Sequence, residues 1–257
     1  MTTSRQPRQV ILKTPEEIEQ MRPAGRMVGE TLDELREMVK PGRRLSELDQ
    51  YVIDKFERLD VIPTFLGYQG FPHTICASVN EEIVHGFATQ RQLEDGDIIS
   101  IDLGATIDGW VGDSARTFAV GTISPAARRL LDVTRESLDA GIDAARIGVR
   151  KGDIGAAIQE VIESAGYGVV RGYVGHGVGR DMHEPPSMPN YGRPGSGMTM
   201  RRGMVIALEP MATVGDPATA VLDDGWTVVT ADGSLSAHFE HTVALREDGP
   251  ADILTRA

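Results

Sequence analysis

A repeated order of elements constrains this chain more than any single word in it. Twice, two stretches with helical spacing of apolar residues give way to strand-rich sequence. Thr14-Pro15 reads as an N-cap and first helical residue, and from Glu16 to Lys40 apolar side chains recur at Ile18, Met21, Met27, Val28, Leu32 and Leu35 before Pro41-Gly42 ends the helix. Ser46 opens a second helical phrase, with Leu48, Val52, Ile53 and Phe56 on its apolar side, running to about Leu59. From Thr74 to Val84, and again from Asp97 to Val120, β-branched and apolar residues dominate, and Asp108-Gly109 punctuates the second stretch as a hairpin turn. Helical spacing returns from Pro125 to about Ile147 and from Asp153 to Ser164, followed by strand-like runs at Val169, Met204 to Leu208, Trp226 to Val229 and His241 to Leu245. Two halves of like order without repeated words, and with nothing resembling a linker between them, predict one pseudo-symmetric α+β domain over residues 13–257. Residues 1–12 are polar, carry no pattern and are expected to form a mobile tail. The glycine- and proline-rich run from Pro185 to Gly203 is expected to be an irregular loop bordering a site.

Charge and composition exclude several functions. With 26 basic and 38 acidic residues the formal charge is −12, which argues against nucleic-acid binding as the main activity. The opening MTTSRQPRQVILKT lacks the apolar core of a secretory signal, and no later window approaches a membrane span. A cytoplasmic location is expected. The single cysteine, Cys76, excludes an intramolecular disulfide.

Five residues stand out by their settings: Asp102 and Asp113 in IDLGATIDGWVGDSARTF, His176 in GHGVGRDMHEPP, Glu209 in VIALEP and Glu240 in SAHFEHT. If Asp108-Gly109 forms a two-residue turn, Asp113 lies opposite Gly104, on the same face of the ribbon as Asp102 and two residues along from it. Two like charges on one half-buried face repel unless a cation lies between them. Either aspartate alone also reads as an exposed hairpin residue. His176 stands between glycines that let other groups approach the imidazole, although a histidine in such a loop is often structural. His183 follows seven residues on, and the absence of HExxH excludes a helical zinc-protease motif. Glu209 ends an apolar run, where a buried acid needs a counter-charge; Glu240, beside a strand, reads equally well as structural. Together they form an oxygen-rich set with one nitrogen and no thiolate. Such a set suits Mn²⁺, Fe²⁺ or Co²⁺ at least as well as Zn²⁺. Two such ions could share carboxylates and activate a bridging water near neutral pH.

From Pro15 to Leu245 the phrases NEEIVHG, IDLGATIDGWVGD, GHGVGRDMHEPP, ALEP and SAHFEHT resemble those of the type I methionine aminopeptidases, enzymes that remove the initiator methionine. The resemblance implies the pita-bread fold, a pseudo-symmetric α+β sandwich with a dimetal site in its central cleft. It implies hydrolysis before a small second residue by a metal-bridging hydroxide. It makes Asp102, Asp113, His176, Glu209 and Glu240 the ligands of two divalent ions (cobalt, manganese or iron(II), with zinc or nickel as alternatives), Asp113 and Glu240 bridging. His85 would lie near the scissile amide nitrogen and His183 near the carbonyl oxygen, and Glu209 would also move a proton. Tyr68, Phe71, Cys76, Trp226 and Phe65 would form the methionine pocket. A monovalent cation could bind backbone carbonyls near Asn80 and Ser236. The partners implied are nascent polypeptide N-termini near the ribosome exit, met by a monomer. The sequence departs from a common bacterial pattern at Phe65, Phe71 and Val84. Proline-specific peptidases of the same fold are the nearest alternative, but usually carry an added N-terminal domain and a longer gap between the two histidines. Relatives that lost their metals are a second, and retention of all five ligand positions argues against it.

Overall fold

A computed structural model of the chain describes residues 9–257. The first half runs α1 (Pro15–Met38), α2 (Leu45–Leu59), β1 (Ile62–Pro63), a short 3-10 turn (Tyr68–Gly70), β2 (Ile75–Val79), β3 (Glu82–Val84), β4 (Ile98–Ile107) and β5 (Trp110–Ala119). The second runs α3 (Pro125–Ala144), α4 (Lys151–Ser164), β6 (Gly168–Val169), β7 (Gly175–Gly177), β8 (Glu184–Met188), β9 (Val205–Leu208) and β10 (Met211–Thr213). It continues through β11 (Thr219–Val221), β12 (Val228–Thr230), β13 (Ser236–His238), β14 (His241–Ala244) and β15 (Asp252–Ile253). The repeated helix-helix-strand order is therefore present.

Local chemistry sets the boundaries. Thr14 and Glu17 form a capping box at the start of α1, the Thr14 hydroxyl accepting Glu17 N–H at 3.2 Å and the Glu17 carboxylate accepting Thr14 N–H at 2.8 Å. Helix α2 begins at Leu45 rather than Ser46 because the Glu47 carboxylate accepts the Arg44 N–H at 2.8 Å. In the same way Asp153 accepts Arg150 N–H and starts α4 at Lys151. Helix α3 ends at Ala144, short of the expected Ile147. The run expected as one strand from Thr74 is broken at Asn80, whose φ is +58°. Pro185 to Gly203 is not wholly irregular: Pro185 and Pro186 lie in β8, which is tolerated because β8 is an edge strand of its sheet. Of the expected tail, residues 1–8 lie outside the described residues, while Val10 packs against the second-half core.

Strand β4 organises the first half. Its one edge pairs with β2 and, further along, β1; its other edge pairs with β5. The second half is built on a five-stranded sheet in the order β15-β14-β9-β7-β8 and a three-stranded sheet β13-β10-β6. One core joins α1 and α2 to the first sheet through Leu32, Leu35, Phe56, Ile99 and Ile101; another joins α3 and α4 to the second half through Leu130, Ile158, Ile206 and Leu208. Between them Met21, Trp110, Val205, Ala207 and Leu254 form a smaller buried group at the seam. Strand β5 lies close to α1, since a Cβ on Gly112 would come within 2.6 Å of Ala24 C and Gly25 N. Among the described residues no helix is long and apolar enough to cross a membrane.

Candidate metal centre

The β4–β5 hairpin has the register its turn demands: Gly104 faces Asp113 and Asp102 faces Ala115. Asp102 and Asp113 therefore project from one face of the ribbon, two residues apart. On the neighbouring strand Cys76 is the partner of Asp102. Strand β5 is also stitched to the 238–242 segment. Glu240 N–H donates to Ala115 O at 2.8 Å, the Ser114 hydroxyl donates to Glu240 O at 2.5 Å, and the Thr242 hydroxyl donates to Asp113 O at 2.7 Å. These bonds bring Asp113 of the first half beside Glu240 of the second. His176 enters from β7 and Glu209 from the end of β9, two strands that pair with each other.

The five side chains line one cavity of about 200 Å³. Donor atoms of Asp113, His176 and Glu240 all lie within 4.8 Å of one another. His176 Nε2 is 3.7 Å from both Asp113 Oδ2 and Glu209 Oε1. Its Nδ1–H donates to Gly177 O at 3.0 Å, which leaves the Nε2 lone pair facing the acids. Asp102 Oδ1, Asp113 Oδ1 and Glu240 Oε1 are buried without a hydrogen-bond partner. Burial raises the acids: Asp113 to about 7, and Glu209 to about 8 with help from the Asp113 charge. Asp102 and Glu240 are also raised, by burial first and then by their acidic neighbours. Buried, mutually repelling carboxylates with orphaned oxygens and one oriented imidazole fit divalent cations.

Beside the acids the cavity turns apolar. Phe65, Phe71 and Cys76 form a buried cluster against which Phe87, Met182 and Trp226 pack. Phe71 meets Trp226 and Phe87 edge to face, with centroids 5.2 and 5.6 Å apart. The Cys76 thiol is pushed up by burial and by Asp102 and Asp113, so it is a small neutral wall group and not a nucleophile. His183 stands at the junction of the two regions. Its ring centroid is 4.1 Å from that of His176, it stacks on Tyr68, and its Nδ1 lies 2.8 Å from the Tyr68 hydroxyl. His85 borders Tyr173 and Trp226; burial and His183 lower it to about 4. Every residue expected as a metal ligand, as a catalytic histidine or in the methionine pocket thus lines this cavity, whereas Asn80 and Ser236, expected near a monovalent cation, lie outside it.

Several neighbours were not expected. Gln69 and Met182 line the cavity, and Phe87 backs Phe71. His238 is 1 % exposed, and its unpartnered Nε2 is 3.8 Å from Glu209 Oε2. His238 had a signal, since it stands two residues before Glu240 in SAHFEHT. Ser114 and Thr242 had none, because their roles depend on a contact between halves.

The sequence pattern of metallopeptidase family M24 matches residues 19–247. A methionine aminopeptidase of Clostridium acetobutylicum is 52% identical over 247 residues, covering 96% of this chain and 98% of that protein. A crystal structure of methionine aminopeptidase from Thermotoga maritima superposes with a TM-score of 0.95 at 46% identity, covering 97% of this chain and 100% of the other. Prolidase from Pyrococcus furiosus, 24% identical with a TM-score of 0.74, is covered over 66% of its own length and shares the fold.

Proposed function

The chain belongs to metallopeptidase family M24 and has its pita-bread fold, and from that membership we propose that it removes the N-terminal methionine of polypeptides whose second residue is small. The observation that carries this reading is the junction itself, where four buried acids and an oriented imidazole border an aromatic and sulfur-lined pocket. A methionine side chain is unbranched and polarizable, and suits contact with the cluster of Phe65, Phe71, Cys76 and Trp226.

In this reading Asp102, Asp113, His176, Glu209 and Glu240 would hold two divalent ions, with Asp113 and Glu240, brought side by side from the two halves, as the carboxylates both ions would share. Cobalt, manganese, iron(II), zinc and nickel are all compatible with such donors. When bound, the ions supply a water of lowered pKa and a polarised scissile carbonyl. The remaining work belongs to side chains. In the tautomer this role requires, the Tyr68 hydroxyl donates to His183 Nδ1 across their 2.8 Å contact and the Nε2–H donates to the carbonyl oxygen as negative charge develops there. Burial lowers His183 and holds it neutral at pH 7. His85, also neutral, is placed to accept the substrate amide N–H. Glu209 takes a proton from the attacking water and returns it to the departing nitrogen. A monovalent cation near Asn80 and Ser236 would stiffen the backbone behind β3 and β13. All of these residues come from one chain, so the reading needs no second copy, and the substrates are nascent N-termini in the cytoplasm, near the ribosome exit.

The test is hydrolysis after chelation and reloading with each metal in turn. Methionine release from Met-Ala-Ser, with two ions bound at saturation, is expected. No release with any metal, or preference for an Xaa-Pro substrate, overturns the proposal.

A further inference from the structure

Lys13 and Glu184 form an ion pair far from solvent, each side chain 2 % exposed, with Nζ 2.5 Å from Oε2. They are 171 residues apart in sequence, and neither belongs to the cavity. What gives the pair interest is its position: Glu184 directly follows His183. The second Glu184 oxygen, Oε1, accepts backbone N–H groups from Arg180 at 2.9 Å and Asp181 at 3.4 Å. Residues 179–184 thus fold around one carboxylate, and that carboxylate is held by one ammonium.

The wrapping is tight and anchored on both sides. A Cβ on Gly179 would overlap Glu184 Oε1 and lie 2.6 Å from Lys13 Cε, so no larger residue fits there without displacing the pair. Val111 N–H donates to Gly179 O at 2.9 Å, two residues from Asp113 on β5. The Arg180 guanidinium lies 3.7 Å over the Trp110 ring and donates to Asp108 O at 2.8 Å. On the other side Lys13 N–H donates to Gly203 O at 2.7 Å, so the lysine backbone is fixed before its side chain turns inward.

We infer that Lys13 is a positioning residue: its ammonium, acting through Glu184, fixes the 179–184 loop at the depth that sets His183 against Tyr68 and over the scissile carbonyl. Lys13 touches no substrate atom. Removing the ammonium leaves Glu184 buried and unpaired, and the loop relieves this by moving the carboxylate toward water. His183, bonded to the next residue, moves with it. A shift of this kind weakens donation to the developing oxyanion and leaves the metal ligands in place.

The inference rests on the role proposed for His183, and a double-mutant cycle separates the two. Lys13→Met and Glu184→Gln are each measured in the full-length, metal-loaded enzyme, in wild-type and His183→Ala backgrounds, with kcat, KM, bound metal and Tm. Each single variant is expected to lower kcat by about 10-fold or more, with KM and metal content within about twofold. Neither is expected to cause further loss once His183 is alanine. Wild-type kcat in both, or the same fractional loss in both backgrounds, overturns the inference and makes the pair a scaffold contact. If Lys13→Met does not fold, Glu184→Gln, which keeps the side-chain length and acceptor, decides by the same comparison. Wild-type turnover in His183→Ala removes the role of His183 itself.

Discussion

Asp113 is 2 % exposed, its Oδ1 has no hydrogen-bond partner, and its charge helps to raise Asp102, Glu209 and Glu240. The shared cation proposed for its carboxylate would resolve this, and Asp113→Asn removes the charge while keeping the shape. The variant is expected to lose the two-ion stoichiometry in metal analysis; two ions still bound would contradict the bridging role. The placement of Asp102 and Asp113 was legible in the sequence because a two-residue turn at Asp108-Gly109 leaves only one register, and side chains alternate without exception along the strands. Glu209 was legible for another reason, an acid closing an apolar strand. His238 carried a faint signal in its spacing from Glu240, and Lys13 carried none. Both acquire their meaning from a partner that folding brings in, Glu209 for His238 and Glu184 for Lys13.

At the scale of elements, long periodic segments were legible and short paired ones were not. Helices α1, α2, α3 and α4 follow from apolar spacing and caps. Strands β1, β10, β11, β13 and β15 span two or three residues each, too few for a period to register, and exist because a neighbour supplies the hydrogen bonds. The contact between α1 and β5 offers a direct test of how far an element positions the site. Gly112→Ala places a methyl group against the Ala24 and Gly25 backbone, forcing β5 away from the helix at the residue before Asp113. A stability loss of about 1–3 kcal/mol is expected, read as a lowered Tm. Weaker metal binding should accompany it. Unchanged Tm and unchanged metal affinity would mean that α1 does not set the depth of β5.

Across the whole molecule the acids are a source of strain that cations relieve. Folded-state values near 7 for Asp113 and 8 for Glu209 lie above their ordinary values of 3.8 and 4.5, so the metal-free folded chain holds extra protons between these limits and loses stability as pH rises through them. The buried histidines act in the opposite sense: His176, His238 and His241 are lowered from 6.5 to about 3, chiefly by burial, so they cost stability only as pH falls below 6.5. Above about pH 6.5 the carboxyl groups alone remain. The chelated protein is expected to show a falling Tm from about pH 6.5 to 8.5, and added Mn²⁺ or Co²⁺ to abolish the fall. A chelated Tm that is flat or rising over this range would contradict it. The division of donors between halves has a further consequence in time. Asp102 and Asp113 leave the ribosome with the first half, while His176, Glu209 and Glu240 follow with the second. Thr255, whose hydroxyl lies 2.8 Å from His241 Nδ1 and accepts the Thr242 N–H beside Glu240, follows later still. In the order of synthesis the two aspartates are therefore present before any of the second-half residues that complete the cavity around them.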